Sequence, residues 1–71
     1  SKPGFAETSA YPWLRDNAYK FGFILRYPED KVDVTGYSYE SWHYRFVGQA
    51  AARAIHDGNL TLEEYLAGAK N

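Results

Sequence analysis

Not one cysteine occurs in these 71 residues, and that absence narrows the possible folds more than any other feature of the sequence. A chain this short makes at most one domain and buries only about 60% of the surface its unfolded form exposes. Domains of this size usually draw extra stability from disulfides, a metal or a partner. Disulfides and thiolate metal sites are both excluded here. What the chain offers instead is rings: 18% of its residues are aromatic, including seven Tyr and two Trp. Rings supply a large core per residue, and Tyr and Trp also suit pockets with one wet end.

Charge excludes more. Eight basic and nine acidic residues leave a net charge of −1, and no Lys/Arg cluster forms the footprint of a nucleic-acid binder. No apolar run approaches the ~18 residues of a membrane span, and no signal peptide is visible. The chain opens Ser1-Lys2-Pro3 and contains no Met, which predicts a processed or excised segment.

The order of elements follows from periodicity and punctuation. Thr8 or Ser9 is placed to cap a first helix, with Pro12 tolerated in its first turn. Leu14, Ala18 and Phe21 form its apolar stripe, flanked by Trp13, and Gly22 ends it. Phe23–Tyr27 reads as a buried strand stopped by Pro28, and Val32–Val34 as a short strand between two turns. From Pro28 to Ser41 the chain is mostly irregular, and connections of that length often line a site. Trp42–Val47 is the next strand, with His43, Arg45 and Val47 on one face and Trp42, Tyr44 and Phe46 on the other. Gly48 starts a helix whose narrow apolar face is Val47, Ala50, Ala51, Ala54 and Ile55, closed by Asp57-Gly58-Asn59. Thr61-Leu62-Glu63-Glu64 is a capping box with Leu60 and Tyr65 as its hydrophobic staple. Leu62, Tyr65, Leu66 and Ala69 give that last helix one stripe. The expected class is α+β, in the order helix, strand, loop, strand, helix, helix. Two strands are not a stable sheet alone, so further strands are expected upstream.

Chemistry concentrates in Tyr37–Val47, where Glu40 and His43 stand three apart with Trp42 between them. A hydrolytic zinc site needs three protein ligands and an open position for water, and a neighbouring carboxylate takes the water's proton as it attacks a carbonyl. Glu40 and His43 can serve as base and ligand, but on a straight strand they point to opposite sides. The strand must therefore bend at Ser41 for both to reach one metal. Against this, a strand His more often belongs to a hydrogen-bonded core or rim. His56, near a helix C-terminus that favours a cation, reads as a solvated helix residue. Arg26 and Arg45 can bind a carboxylate, yet on strands they more often pair with local acids. Asp30 and Asp33 lack the Gly and Glu of a calcium loop. Glu63 and Glu64 are accounted for by capping.

Four blocks carry a resemblance: Gly22–Pro28 (Gly-Phe-Ile-Leu-Arg-Tyr-Pro), Thr35-Gly36-Tyr37, Tyr39–Gly48 (Tyr-Glu-Ser-Trp-His-Tyr-Arg-Phe-Val-Gly) and Leu60–Leu66 (Leu-Thr-Leu-Glu-Glu-Tyr-Leu). In this order and spacing, across Trp13–Leu66, the chain resembles the C-terminal half of zinc D-alanyl-D-alanine carboxypeptidases of the vancomycin-resistance type, which include L,D-carboxypeptidases. The resemblance implies that Glu40 is the catalytic base, that His43 is a zinc ligand, that Tyr27 lies by the pocket for the terminal D-Ala, and that Trp42 lines it. The substrate it implies is a peptidoglycan stem peptide, and the implied location is outside the cytoplasmic membrane, in the envelope or secreted.

The departure is as informative. The family takes its other two zinc ligands from a Ser-x-His-x-x-Gly-x-Ala-x-Asp motif that this sequence lacks, and an upstream Arg binds the substrate carboxylate. Residues 1–71 are therefore expected to be a single partial domain, inactive alone, completed by an N-terminal half or a companion chain that brings the remaining His and Asp ligands of Zn2+. The alternative is a metal-free module whose aromatic cleft binds cell-wall peptide or glycan.

Overall fold

In the computed structural model, which describes residues 10–68, the Gly22 carbonyl ties the residue before one strand to the residues just after its partner strand. The chain begins with α1 (Ala10–Asn17) and tightens into a 3₁₀ turn (Ala18–Phe21). Gly22 closes that turn at φ 89°, a left-handed conformation that favours glycine. Its carbonyl then accepts the amides of Val47 at 2.8 Å and Gly48 at 3.1 Å. Thr8 and Ser9, the expected caps, lie outside the described residues.

The expected stripe is corrected at its end. Ala18 is buried, but Phe21, the last residue of the 3₁₀ turn, is 58% exposed. Phe21 stacks instead on the exposed Trp13, with ring centroids 6.2 Å apart.

β1 (Phe23–Tyr27) and β2 (Glu40–Phe46) form a two-stranded antiparallel sheet. β2 starts at Glu40, two residues before its expected start. Phe23 pairs with Phe46, Ile24 with Arg45 and Leu25 with Tyr44, so the expected alternation holds through this stretch. Between the strands lie a 3₁₀ turn (Glu29–Lys31) and α2 (Val32–Thr35). The strand expected at Val32–Val34 is thus a helical turn. Gly36, at φ 77°, closes it by donating its amide to the Val32 carbonyl at 2.9 Å. Both valines are exposed, and β-branched side chains favour strands only where a pleated surface receives them.

α3 (Gln49–Gly58) follows Gly48 and ends at Asn59 in the left-handed conformation. Its buried face is Ala52 and Ile55, while Ala50 and Ala54 are exposed. Ile55 is the one large aliphatic residue of the helix. At about 3.6 residues per turn Ala52 falls on its side and Ala50 and Ala54 fall away from it, which corrects the expected face. The core is Ile24, Ala52 and Ile55, packed by Tyr19, Val47, Leu60, Leu62 and Tyr65.

α4 (Leu62–Leu66) forms as its capping box predicts. The buried Thr61 hydroxyl accepts the Glu64 amide and a Glu64 carboxylate oxygen accepts the Thr61 amide, both at 2.9 Å. Leu60 and Tyr65 both reach the core. Leu66 is exposed, because the helix stops there before a second turn can carry the stripe onward; Ala69 lies outside the described residues. No helix among the described residues is long and apolar enough to cross a membrane.

Candidate active site

The bend anticipated at Ser41 exists, and pairing with β1 produces it. After Leu25–Tyr44 the next pair is Tyr27–Glu40, so one β1 residue, Arg26, stands opposite three on β2: Ser41, Trp42 and His43. Such a bulge bends a strand and re-aims its side chains. Ser41 turns inward and is 2% exposed. Glu40 and His43, which a flat strand would separate, come together with Glu40 Oε1 3.2 Å from His43 Nδ1. Trp42 lies between them in the bulge, half-buried.

Rings wall this pair on one side. The Tyr27 ring meets the His43 imidazole edge-on, at 5.1 Å and 90°. Tyr37 stacks on Tyr27 at 4.5 Å, brought there by α2 and by the turn in which Thr35 Oγ1 accepts the Tyr37 amide at 3.1 Å. The Arg26 guanidinium lies 4.8 Å from the Tyr27 ring centroid. Arg26 is itself held by Glu63 of α4, its Nη1 donating to Glu63 Oε1 at 2.8 Å. That hydrogen bond raises the pKa of Arg26 and lowers that of Glu63. Glu63 therefore does more than accompany the cap, and Arg26 pairs with an acid as its strand position predicts. Glu64 serves the cap and also accepts from Lys31 Nζ at 3.0 Å. Its pKa is lowered, first by the Thr61 amide and then by Lys31.

The structure thus brings Tyr27, Glu40 and His43 into one cluster and adds Tyr37 and Arg26, which sequence reasoning did not assign to it. Tyr37 was legible as part of a ring-dense stretch. Its partner Tyr27, however, lies across the whole intervening loop. His56 stays apart from the cluster, stacked flat on Tyr19 at 3.8 Å. Asp30 accepts a hydrogen bond from Asn59 Nδ2 at 3.3 Å.

Glu40 and His43 suit zinc in kind but not in number. A carboxylate beside an imidazole is one corner of a hydrolytic site, and three protein ligands are needed. Among the described residues no group of three or more His, Cys, Asp or Glu is placed to hold a metal. A cavity of about 140 Å³ opens elsewhere, lined in part by Tyr19, Phe23, Leu25, Ile55 and Leu60 and by none of Glu40, His43 or Tyr27. The Glu40–His43 pair lies outside that cavity.

Residues 2–49 match the family VanY, D-alanyl-D-alanine carboxypeptidase. YodJ of Bacillus subtilis (strain 168), described as a carboxypeptidase, is 57% identical over 61 residues, 86% of this chain and 22% of that protein. A D-alanyl-D-alanine carboxypeptidase of Enterococcus faecalis (strain ATCC 700802 / V583) is 59% identical over 56 residues, 79% of this chain and 21% of that protein. Among solved structures, the LD-carboxypeptidase LdcB superposes with a TM-score of 0.89 at 52% identity, over 97% of this chain and 32% of its own. VanYB in complex with D-alanine-D-alanine gives a TM-score of 0.82 at 56% identity, over 86% and 34%. The D,D-pentapeptidase VanY of a VanB-type cassette, as a mutant in complex with Zn(II), gives 0.77 at 59%, over 79% and 32%. The chain therefore spans about a fifth of these curated relatives and about a third of these solved structures. By the extent of the match and the level of identity, the chain belongs to the VanY family of D-alanyl-D-alanine carboxypeptidases.

Proposed function

We propose that residues 1–71 form the C-terminal half of the catalytic domain of a zinc-dependent carboxypeptidase that removes the terminal D-alanine from peptidoglycan stem peptides, outside the cytoplasmic membrane. The observation that carries this is the Glu40–His43 pair, closed to 3.2 Å by the bulge in β2. The zinc-bound and D-Ala-D-Ala-bound relatives support the cofactor and the substrate class.

His43, with its side chain 44% exposed, would be one zinc ligand, and the remaining His and Asp ligands would come from outside this chain. Zinc, when bound, supplies a water acidified to a pKa of ~7 and a positive charge beside the scissile carbonyl. Glu40 accepts the proton of the attacking water and passes it to the leaving D-alanine amine, as a base and then an acid at one position. Tyr27 and Trp42 shape the pocket around the terminal residue and limit the access of bulk water. Alone, the described residues hold too few ligands for a zinc that turns over substrate.

The test is Glu40→Ala in the complete enzyme. Turnover of a D-Ala-terminated peptide drops by at least about 10²-fold while zinc, measured by elemental analysis, stays bound. A variant that keeps most of its activity removes Glu40 from the role of base. Peptide binding without hydrolysis in the unaltered complete protein would favour a metal-free binding module instead.

A further inference from the structure

α4 comes well after the bulge in sequence, yet its first turn is tied to the residue beside Tyr27. Adjacent residues on a strand point to opposite faces. The Arg26 side chain must therefore fold back to bring its guanidinium within 4.8 Å of the Tyr27 ring. Glu63, 37 residues away, holds it there through the 2.8 Å bond, and the Arg26 side chain is only 16% exposed. Two further bonds pin the turn that follows Tyr27: Lys31 to Glu64 at 3.0 Å and Asn59 to Asp30 at 3.3 Å. With Arg26 against its ring and Tyr37 stacked at 4.5 Å, Tyr27 has little freedom left, and its edge meets His43.

From this continuous set of contacts we infer that Glu63 and Arg26 are positioning residues: they hold the Tyr27 ring against His43, and so orient the Glu40–His43 pair for reaction. This rests on Glu40 and His43 being the reacting pair. Arg26 then serves the site through Tyr27 and takes no substrate carboxylate, because its charge is already met by Glu63.

The experiment is a double-mutant cycle in the complete enzyme, with kcat and KM measured on a D-Ala-terminated peptide for Glu63→Ala, Tyr27→Ala and the pair. Glu63→Ala lowers kcat/KM about tenfold, the scale seen when an outer partner of a site is lost, and adds no further loss in the Tyr27→Ala background. Arg26→Lys, which keeps the charge and loses the planar fork, behaves like Glu63→Ala. Additive losses, or full activity in Glu63→Ala, overturn the inference. A second readout needs no turnover. In Glu63→Ala the Tyr27 and His43 ring resonances shift in the NMR spectrum of the metal-free protein. Unchanged ring resonances with a lowered melting temperature would mean that Glu63 only stabilises α4, and would overturn the inference even if activity fell. If instead Glu40→Ala remains active while the rings move, positioning stands and the assignment of the base fails.

Discussion

Gly22→Ala and Gly36→Ala together separate two penalties that usually arrive mixed. Both glycines have positive φ, 89° and 77°, so each substitution places a Cβ in the left-handed region at roughly 1–2 kcal/mol. Both also lose the same unfolded-state freedom, which offsets part of that penalty equally. They differ in what the new Cβ meets. At Gly36 nothing lies within 4 Å, whereas at Gly22 it falls 2.7 Å from Phe46 Cε1, 3.1 Å from the Gly48 carbonyl carbon and 3.2 Å from Gly48 Cα. Phe46 is 62% exposed and can swing aside. The Gly48 backbone cannot, because Val47 and Gly48 are both bonded to the Gly22 carbonyl. Relieving that overlap adds about 2 kcal/mol, the middle of the range for overpacking. Urea denaturation followed by circular dichroism should therefore rank Gly22→Ala about 2 kcal/mol below Gly36→Ala. In a thermal melt this is a gap of about 8–16 °C for a domain of this size. Equal losses at the two sites would refute the steric part of the reasoning and leave only the shared backbone penalty.

Three further outcomes are expected. Thr61→Val keeps the buried shape but removes the cap, lowering stability by about 1 kcal/mol in urea titration, and Thr61→Ser restores most of it. Arg26 depresses the pKa of Glu63, so the stability from this pair is present above the unfolded carboxylate pKa of about 4.3 and is lost as pH falls through the lower folded value. Because Glu63 is 35% exposed, screening holds the effect to under about 1 kcal/mol; the urea midpoint declines below about pH 4.3, and Glu63→Gln flattens that decline. His43→Ala, at a side chain 44% exposed, changes stability by no more than about 0.5 kcal/mol and abolishes zinc uptake by the complete enzyme, which equilibrium dialysis reads directly.

What could be read in advance was whatever a few neighbouring residues decide. The Thr61–Glu64 box needs only four residues, and α4 starts where they place it. Gly22 and Asn59 end their elements through their own backbone conformation. Val32–Val34 misled because β-branched composition speaks for a strand only if a sheet receives it, while the neighbouring Gly36 supplied the helical close. Phe21 and Ala54 were misplaced for different reasons: Phe21 pairs with the exposed Trp13 instead of the core, and Ala54 falls away from the single side chain, Ile55, around which α3 docks. The candidate site divides in the same way. Glu40 and His43 were legible as a pair that required a bend, but the bend depends on register with β1. Arg26 and Glu63 meet across 37 residues, and no local pattern announces such a contact.

The bulge in β2 makes the spacing of Glu40 and His43 a matter of residue count. Three residues face one on β1, so the segment tolerates exchange of a side chain more readily than a change of length. Deleting any one of Ser41, Trp42 or His43 would change the number of residues that span the bulge, and with it the separation that brings Glu40 and His43 together. Insertions would do the same in the other sense. Libraries that vary identity at the half-buried Trp42 should thus retain the Glu40–His43 spacing, whereas libraries that vary length between Glu40 and Tyr44 should not, however conservative the residues added.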